Sequence, residues 1–152
     1  MMPGRVSKRV VADRLSWIDT MLQKLRKLPL DDEDSFFADA RNEGAAESYL
    51  RRTLEALLDL GRHLLAKGFG TGVTEYKAIA RELRSHQVLT DHEADLLETM
   101  AGYRNRMLHF DHEISSRELY DICSMGLADV ETVLTGLKRW VREHPERLDE
   151  RL

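Results

Sequence analysis

A chain of 152 residues, 42% hydrophobic and 33% charged, can bury a core without disulfide or metal staples and is expected to form one helical domain over residues 1–152. Its net charge of −4 argues against a surface that binds nucleic acid everywhere, while leaving room for a local basic site. The single cysteine, Cys123, excludes an internal disulfide and a cysteine-based zinc cage; set among Leu119, Ile122 and Met125, it reads as a small buried hydrophobe.

Met1–Arg9 carries charge with no apolar run behind it, and no later stretch is apolar enough to span a bilayer. The expectation is a cytoplasmic protein with no membrane segment. Hydrophobic periodicity predicts five main helices. The first runs from about Arg5 to Lys27, with Val10, Leu15, Trp17, Ile18, Met21, Leu22 and Leu25 as its apolar side. Pro29 and Asp31-Asp32-Glu33-Asp34 stop it, and a short helical piece follows around Ser35–Ala40. The second spans about Glu43–Lys67, with Leu50, Leu54, Leu57, Leu58, Leu64 and Leu65 at helical spacing. Gly61 interrupts it at a cost of about 1 kcal/mol against alanine, which implies that another helix comes close there. Gly68, Gly70 and Gly72 end the helix; with no strand before them and no Gly-Lys-Ser/Thr after, they do not form a phosphate loop.

A third helix is expected over about Thr74–Ser85, with Thr74 as its cap. Thr90 and Glu93 form a capping box that opens the fourth, and Ser115 with Glu118 forms another that opens the fifth, which runs to Glu143. Ile122, Met125, Val130, Val133, Leu137, Trp140 and Val141 give that last helix its buried side. No strand pattern, repeat or linker is visible. The predicted fold is all-α, an antiparallel up-and-down bundle of four to five helices.

The segment Arg104-Asn105-Arg106-Met107-Leu108-His109, near the end of the fourth helix, carries the chemistry. An arginine can grip a phosphate and a histidine can move a proton, the two tasks needed to cut RNA without a metal. At about 100° per residue, Leu96, Met100, Tyr103 and Met107 fall on one stripe, the predicted core side. Asn105 and His109 share a nearly opposite face with Glu98, Ala101, Gly102 and His112. Ala101 and Gly102 would let a second backbone approach, so this face is expected to meet another subunit. On an ideal helix Arg104 and His109 lie about 140° apart. They converge only if the helix ends or bends near Leu108, or if they serve a site shared between symmetry mates. A helix C-terminus that gathers cations to suit its dipole explains the same residues without any site.

His109, Asp111, His112 and Glu113 are metal-ligand types, but neighbouring ligands on a helix point apart and no His-x-x-x-His pair occurs among them, so no metal is expected. Asp59 and His63, four apart, read either as a polar pair or as a cleft-lining pair. Glu47 has the same ambiguity; a buried carboxylate needs a partner, and Arg104 is a candidate.

These residues carry a resemblance to a known family. With Arg14–Ile18 in the first helix, Ala45-Ala46-Glu47, Asp59-x-x-x-His63, the Tyr76 segment and above all Arg104-Asn105 with His109, the chain resembles the HepT-like members of the HEPN superfamily, the toxin half of toxin–antitoxin pairs. The resemblance covers most of the chain. It implies a homodimeric, metal-independent ribonuclease without cofactor, whose two Arg/His motifs line a cleft between subunits. It also implies a minimal nucleotidyltransferase antitoxin as partner. Arg104 would bind the RNA phosphate, His109 would be the general acid or base near its ordinary pKa of about 6.5, and Asn105 would orient either. Glu47, Asp59, His63 and Asp111 would support or line the cleft. The family's usual tyrosine two residues after the histidine, to which the antitoxin adds AMP, is Asp111 here, with Phe110 between; an aspartate has no phenolic hydroxyl to modify. A noncatalytic module that pairs with a nucleotidyltransferase and a plain helical dimer remain the alternatives.

Overall fold

The structure, a computed structural model, describes residues 5–108 and 114–149. In chain order these hold β1 (Val6–Ser7), α1 (Lys8–Arg26), α2 (Glu33–Ala38), α3 (Ala40–Phe69), α4 (Tyr76–Ser85), α5 (Asp91–Leu108), α6 (Ser116–Met125), α7 (Leu127–Glu143), a single 3₁₀ turn (Pro145–Arg147) and β2 (Leu148–Asp149). The protein is all-α, as the periodicity predicts, with seven α-helices among the described residues where four to five were expected. None of them is long and apolar enough to cross a membrane.

α3 is the axis of the fold. Its 30 residues span about 45 Å at 1.5 Å each. Leu50, Leu54, Leu57, Leu58, Leu60, Leu64 and Leu65 are all buried, and they point to more than one side of the helix. A helix with a single apolar stripe needs one covering layer; α3 needs several, and α1, α2, α4, α5 and α6 all pack on it. Each such leucine contributes roughly 1.5–3 kcal/mol by leaving water. α7 closes against α5 and α6.

Local chemistry sets the boundaries. Ser7 Oγ accepts the Val10 N–H at 3.1 Å, so α1 starts at Lys8 rather than Arg5. The preceding Val6 and Ser7 pair in parallel with Leu148 and Asp149, a two-residue ladder that periodicity is too coarse to detect. Asp32 and Asp39 cap α2 and α3 through the N–H groups of Ser35 and Arg41. Gly70 adopts φ 65°, and the Gly70 and Thr71 N–H groups turn back to the Ala66 and Leu65 carbonyls to close α3. α4 begins at Tyr76 with no side-chain cap; Thr74, the expected cap, instead lends its carbonyl to Arg62.

Both halves of the Thr90–Glu93 box form, at 3.2 and 2.9 Å. Glu93 also takes a bidentate pair from Arg139 of α7 at 2.7 and 2.9 Å, and Gly136 packs on its carboxylate so closely that a Cβ there would stand 2.8 Å away. That pair, with the Thr90 amide, holds the Glu93 carboxyl down to about 2. In the second box, Ser115 caps Glu118, but the Glu118 carboxylate goes to Arg106 rather than back to the cap.

Two packing expectations change. The fifth predicted helix is broken at Gly126, whose N–H reaches the Ile122 carbonyl at 2.7 Å; a Cβ at Gly126 would meet that oxygen at 2.6 Å. Gly61 does admit a neighbour: an added Cβ would meet Leu83 Cδ1 at 2.9 Å and Ile79 Cγ2 at 3.0 Å, both on α4. α4 also covers the face of α5 that was expected to meet a second subunit. Ala101 is fully buried and Gly102 lies against the Lys77 side chain of α4, so in its described part this face packs on α4 of the same chain. The core side of α5 is therefore wider than the predicted stripe: Ala94, Leu97, Met100 and Ala101 are buried, and Leu96, Tyr103 and Met107 half-buried.

Candidate functional site

Arg104 leaves α5 in the direction of α3 and α4. Its guanidinium lies over the Tyr76 ring, 4.3 Å from the centroid, and its Nε stands 3.5 Å from Glu55 Oε1 on α3. The side chain is 22% exposed, and Nε is buried with no hydrogen-bond partner among the described residues.

Tyr76 is itself fixed. As the first residue of α4 it faces α3, where its hydroxyl donates to Asp59 Oδ1 at 3.4 Å. Burial, then the Asp59 charge, push its phenol pKa upward, so the ring stays neutral and keeps its π face for the arginine. A second guanidinium, that of Arg62, lies 5.0 Å from the same ring. Arg62 is committed to structure: it donates to the Val73 and Thr74 carbonyls at 3.0 and 3.1 Å and pairs with Asp59 at 3.4 Å. The α3–α4 connection is thereby pulled onto α3, which sets Tyr76 beneath Arg104.

A cavity of about 370 Å³ opens on this cluster, lined by Arg62, Thr74, Glu75, Tyr76, Lys77, Arg104 and Asn105. Adjacent positions on α5 thus deliver a cation and an amide to one pocket, and beside Arg62 and Arg104 Lys77 adds a third cation, with no acidic partner among the described residues. Such a pocket suits a phosphodiester: a planar fork for two non-bridging oxygens, an amide for a third contact and a flexible ammonium at the rim.

The predicted site residues separate into groups. Arg104 and Asn105 line the pocket, and Asp59 supports it through Tyr76 and Arg62. Glu47 does not pair with Arg104: its partner is Arg51, at 3.1 Å one turn away, and Glu55 is the carboxylate beside Arg104. His63 does not bond to Asp59. Its Nε2 accepts the Ser7 N–H at 3.2 Å, and burial, then Lys67 and Arg14, lower its pKa, so it serves the start of α1 as a neutral acceptor. Arg106 ties α5 to α6 through Glu118 at 2.6 Å. His109 and Asp111, with Phe110, His112 and Glu113, lie outside the described residues. Glu55, Arg62 and Lys77 were not anticipated. Arg51, Glu55, Asp59 and Arg62 recur at intervals of three and four on α3, a charged stripe legible as a helix face but not as a partner for Arg104.

Buried Cys123 is 1% exposed and pushed up to about 12 by desolvation, as expected for a packing residue rather than a nucleophile.

The architecture is shared with solved structures of low sequence identity. It matches a tri-AMPylated Shewanella oneidensis HEPN toxin in complex with an MNT antitoxin at a TM-score of 0.77, with 18% identity over 86% of this chain and 97% of that one. It also matches YutE, a cytosolic protein of unknown function from Bacillus subtilis, at a TM-score of 0.74, with 18% identity over 92% and 94% of the two chains. In sequence, a tRNA nuclease HepT from Aphanizomenon flos-aquae is 26% identical over 119 residues, 78% of this chain and 80% of that protein. Residues 18–136 match the model of the ribonuclease HepT-like family, and the chain belongs to that family.

Proposed function

We propose that this protein is an RNA endonuclease of the toxin type, cutting without a metal at a site that a second copy of the chain completes. The observation that carries the reading is Arg104: a guanidinium stacked on Tyr76, steadied by Glu55 at 3.5 Å, opening with Asn105 and Lys77 on one pocket. Membership of the ribonuclease HepT-like family supports the reaction class, and the tRNA nuclease among its relatives supports RNA as the substrate.

In the proposed reaction an RNA 2′-hydroxyl attacks its own 3′-phosphate. His109 takes the hydroxyl proton, and Arg104 binds two non-bridging oxygens and stabilises the charge that builds on them. The P–O5′ bond breaks, and the departing oxygen takes a proton from a second imidazole. The products are a 2′,3′-cyclic phosphate and a 5′-hydroxyl. One His109 per chain supplies one proton carrier; His109 of a second copy supplies the other, which gives dimerisation a chemical purpose. The test is RNA cleavage in EDTA by the wild type and by His109→Ala, with the product ends identified. Cleavage to cyclic phosphates by the wild type alone supports the mechanism, and equal cleavage by both removes His109 from it.

A complex with a nucleotidyltransferase antitoxin is the proposed means of control, supported by the HEPN–MNT complex among the structural neighbours. Asp111 in place of the family's tyrosine keeps a second reading in view, a noncatalytic module that only binds such a partner. Co-purification with the partner and no nuclease activity in the free chain would favour it.

A further inference from the structure

Trp17 was expected in the core and is instead 44% exposed. It lies in a cleft of about 310 Å³ between α1 and α3, lined also by Arg14, Arg51, Arg52, Glu55, Ala56 and Asp59. On a chain of net charge −4, three arginines around one exposed indole are a local reversal of sign. The two carboxylates in the lining are already engaged: Glu55 with Arg51 and Arg104, Asp59 with Arg62. Arg14 and Arg52 are exposed and have no acidic partner among the described residues.

The cleft adjoins the Arg104 pocket. The same Glu55 oxygen stands 3.6 Å from Arg51 Nη1 and 3.5 Å from Arg104 Nε, so a carboxylate that lines the cleft also touches the arginine that lines the pocket. Resting on the ribonuclease reading, we propose that this cleft is a single-stranded RNA subsite, in which Trp17 stacks a base flanking the scissile phosphate while Arg14 and Arg52 hold neighbouring phosphates. An exposed indole beside cations is the arrangement that binds unpaired nucleotides, the ring taking any base by its face and the cations tracking the backbone. A protein partner fits less well. Besides Trp17 the only apolar side chain in the lining is the small, buried Ala56, and an apolar helix laid there would desolvate three guanidinium groups.

The test uses the full chain and two RNA probes. One is a fluorescent 12-nucleotide single strand with every 2′-hydroxyl methylated, which binds but cannot be cut; the other is the same strand unmodified, compared with a dinucleotide. Trp17→Ala is expected to weaken the 12-mer about tenfold and to lower by a similar factor the ratio of kcat/KM for the long strand over that for the dinucleotide, with Trp17→Phe recovering most of both. Arg52→Glu is expected to reduce the salt slope of binding by about 1. Binding should quench the exposed Trp17, since Trp140 is buried. If Trp17→Ala folds, binds the 12-mer and keeps the wild-type long-to-short ratio, the subsite is wrong and the nuclease reading stands. If the wild type neither binds nor cuts RNA, both fall. If light scattering shows that Trp17→Ala turns a dimer into a monomer, the face is a subunit contact and the proposal is overturned.

Discussion

Removing the Tyr76 ring tests how firmly Arg104 is held. The ring faces Arg104 at 4.3 Å, and the arginine is only 22% exposed, so the cation–π attraction is partly desolvated and contributes about 1–2 kcal/mol to holding the guanidinium in place. The hydroxyl adds less: its bond to Asp59 is long, at 3.4 Å, and belongs at the low end of the roughly 0.5–1.5 kcal/mol of ordinary hydrogen bonds. Tyr76→Leu removes the ring and Tyr76→Phe only the hydroxyl. With tenfold in rate for each 1.4 kcal/mol or so, Tyr76→Leu should lower kcat/KM for RNA about 5–30-fold and Tyr76→Phe about twofold. The assay is initial-rate cleavage under conditions where urea unfolding shows each variant to be folded. Tyr76→Leu cutting within twofold of wild type would refute the reasoning, as would Tyr76→Phe falling as far as Tyr76→Leu.

Other predictions concern the scaffold that presents the site. Glu93 is nearly buried and its carboxyl is depressed from 4.5 to about 2, so its ionised form, held by Arg139 together with Thr90, contributes about 3 kcal/mol to stability. Because the folded value is the lower one, that contribution is complete above about pH 4.5 and is lost as pH falls toward 2. Glu93→Gln should cost a similar amount at neutral pH and flatten this acid limb, measured by urea unfolding at several pH values; an unchanged limb would contradict it. Gly61→Ala gains about 1 kcal/mol of helix propensity but forces a methyl against Leu83 at 2.9 Å, so it should lower Tm, by an overpacking cost of about 1–3 kcal/mol less that gain. A raised Tm would show that Leu83 gives way. Cys123 should react with a thiol reagent at pH 8 only on unfolding, and prompt native labelling would contradict its buried setting.

Much of this fold was legible because helices announce themselves at both ends and along their length. The Thr90–Glu93 box, the Gly70 terminus and the leucine spacing of α3 are local patterns with local causes. The misses have non-local causes. Nothing near Ala101 shows that α4 will bury it, and nothing near Trp17 shows that the neighbouring surface will be arginine rather than leucine. Gly126 lies within an unbroken apolar period, and periodicity does not encode that one helix ends and the next begins there. At the candidate site, Arg104 and Asn105, singled out by the motif and the resemblance it carries, line one pocket, whereas Glu47 and His63 were given partners they do not have. Which carboxylate meets Arg104 depends on the rotation of α3 against α5, and Glu47 and Glu55 lie two turns apart on a helix where a sequence offers no means of choosing.

The central claim is that the Arg104 guanidinium, seated on Tyr76, is the phosphate-binding group of an RNA-cutting centre. The most direct measurement is the rate of RNA cleavage by wild type and Arg104→Ala in EDTA, with the helical fold of both checked by circular dichroism. The account predicts EDTA-resistant cleavage by the wild type and a loss of about 100-fold or more in a folded Arg104→Ala. Cleavage undiminished in Arg104→Ala, or abolished in the wild type by EDTA, would contradict it.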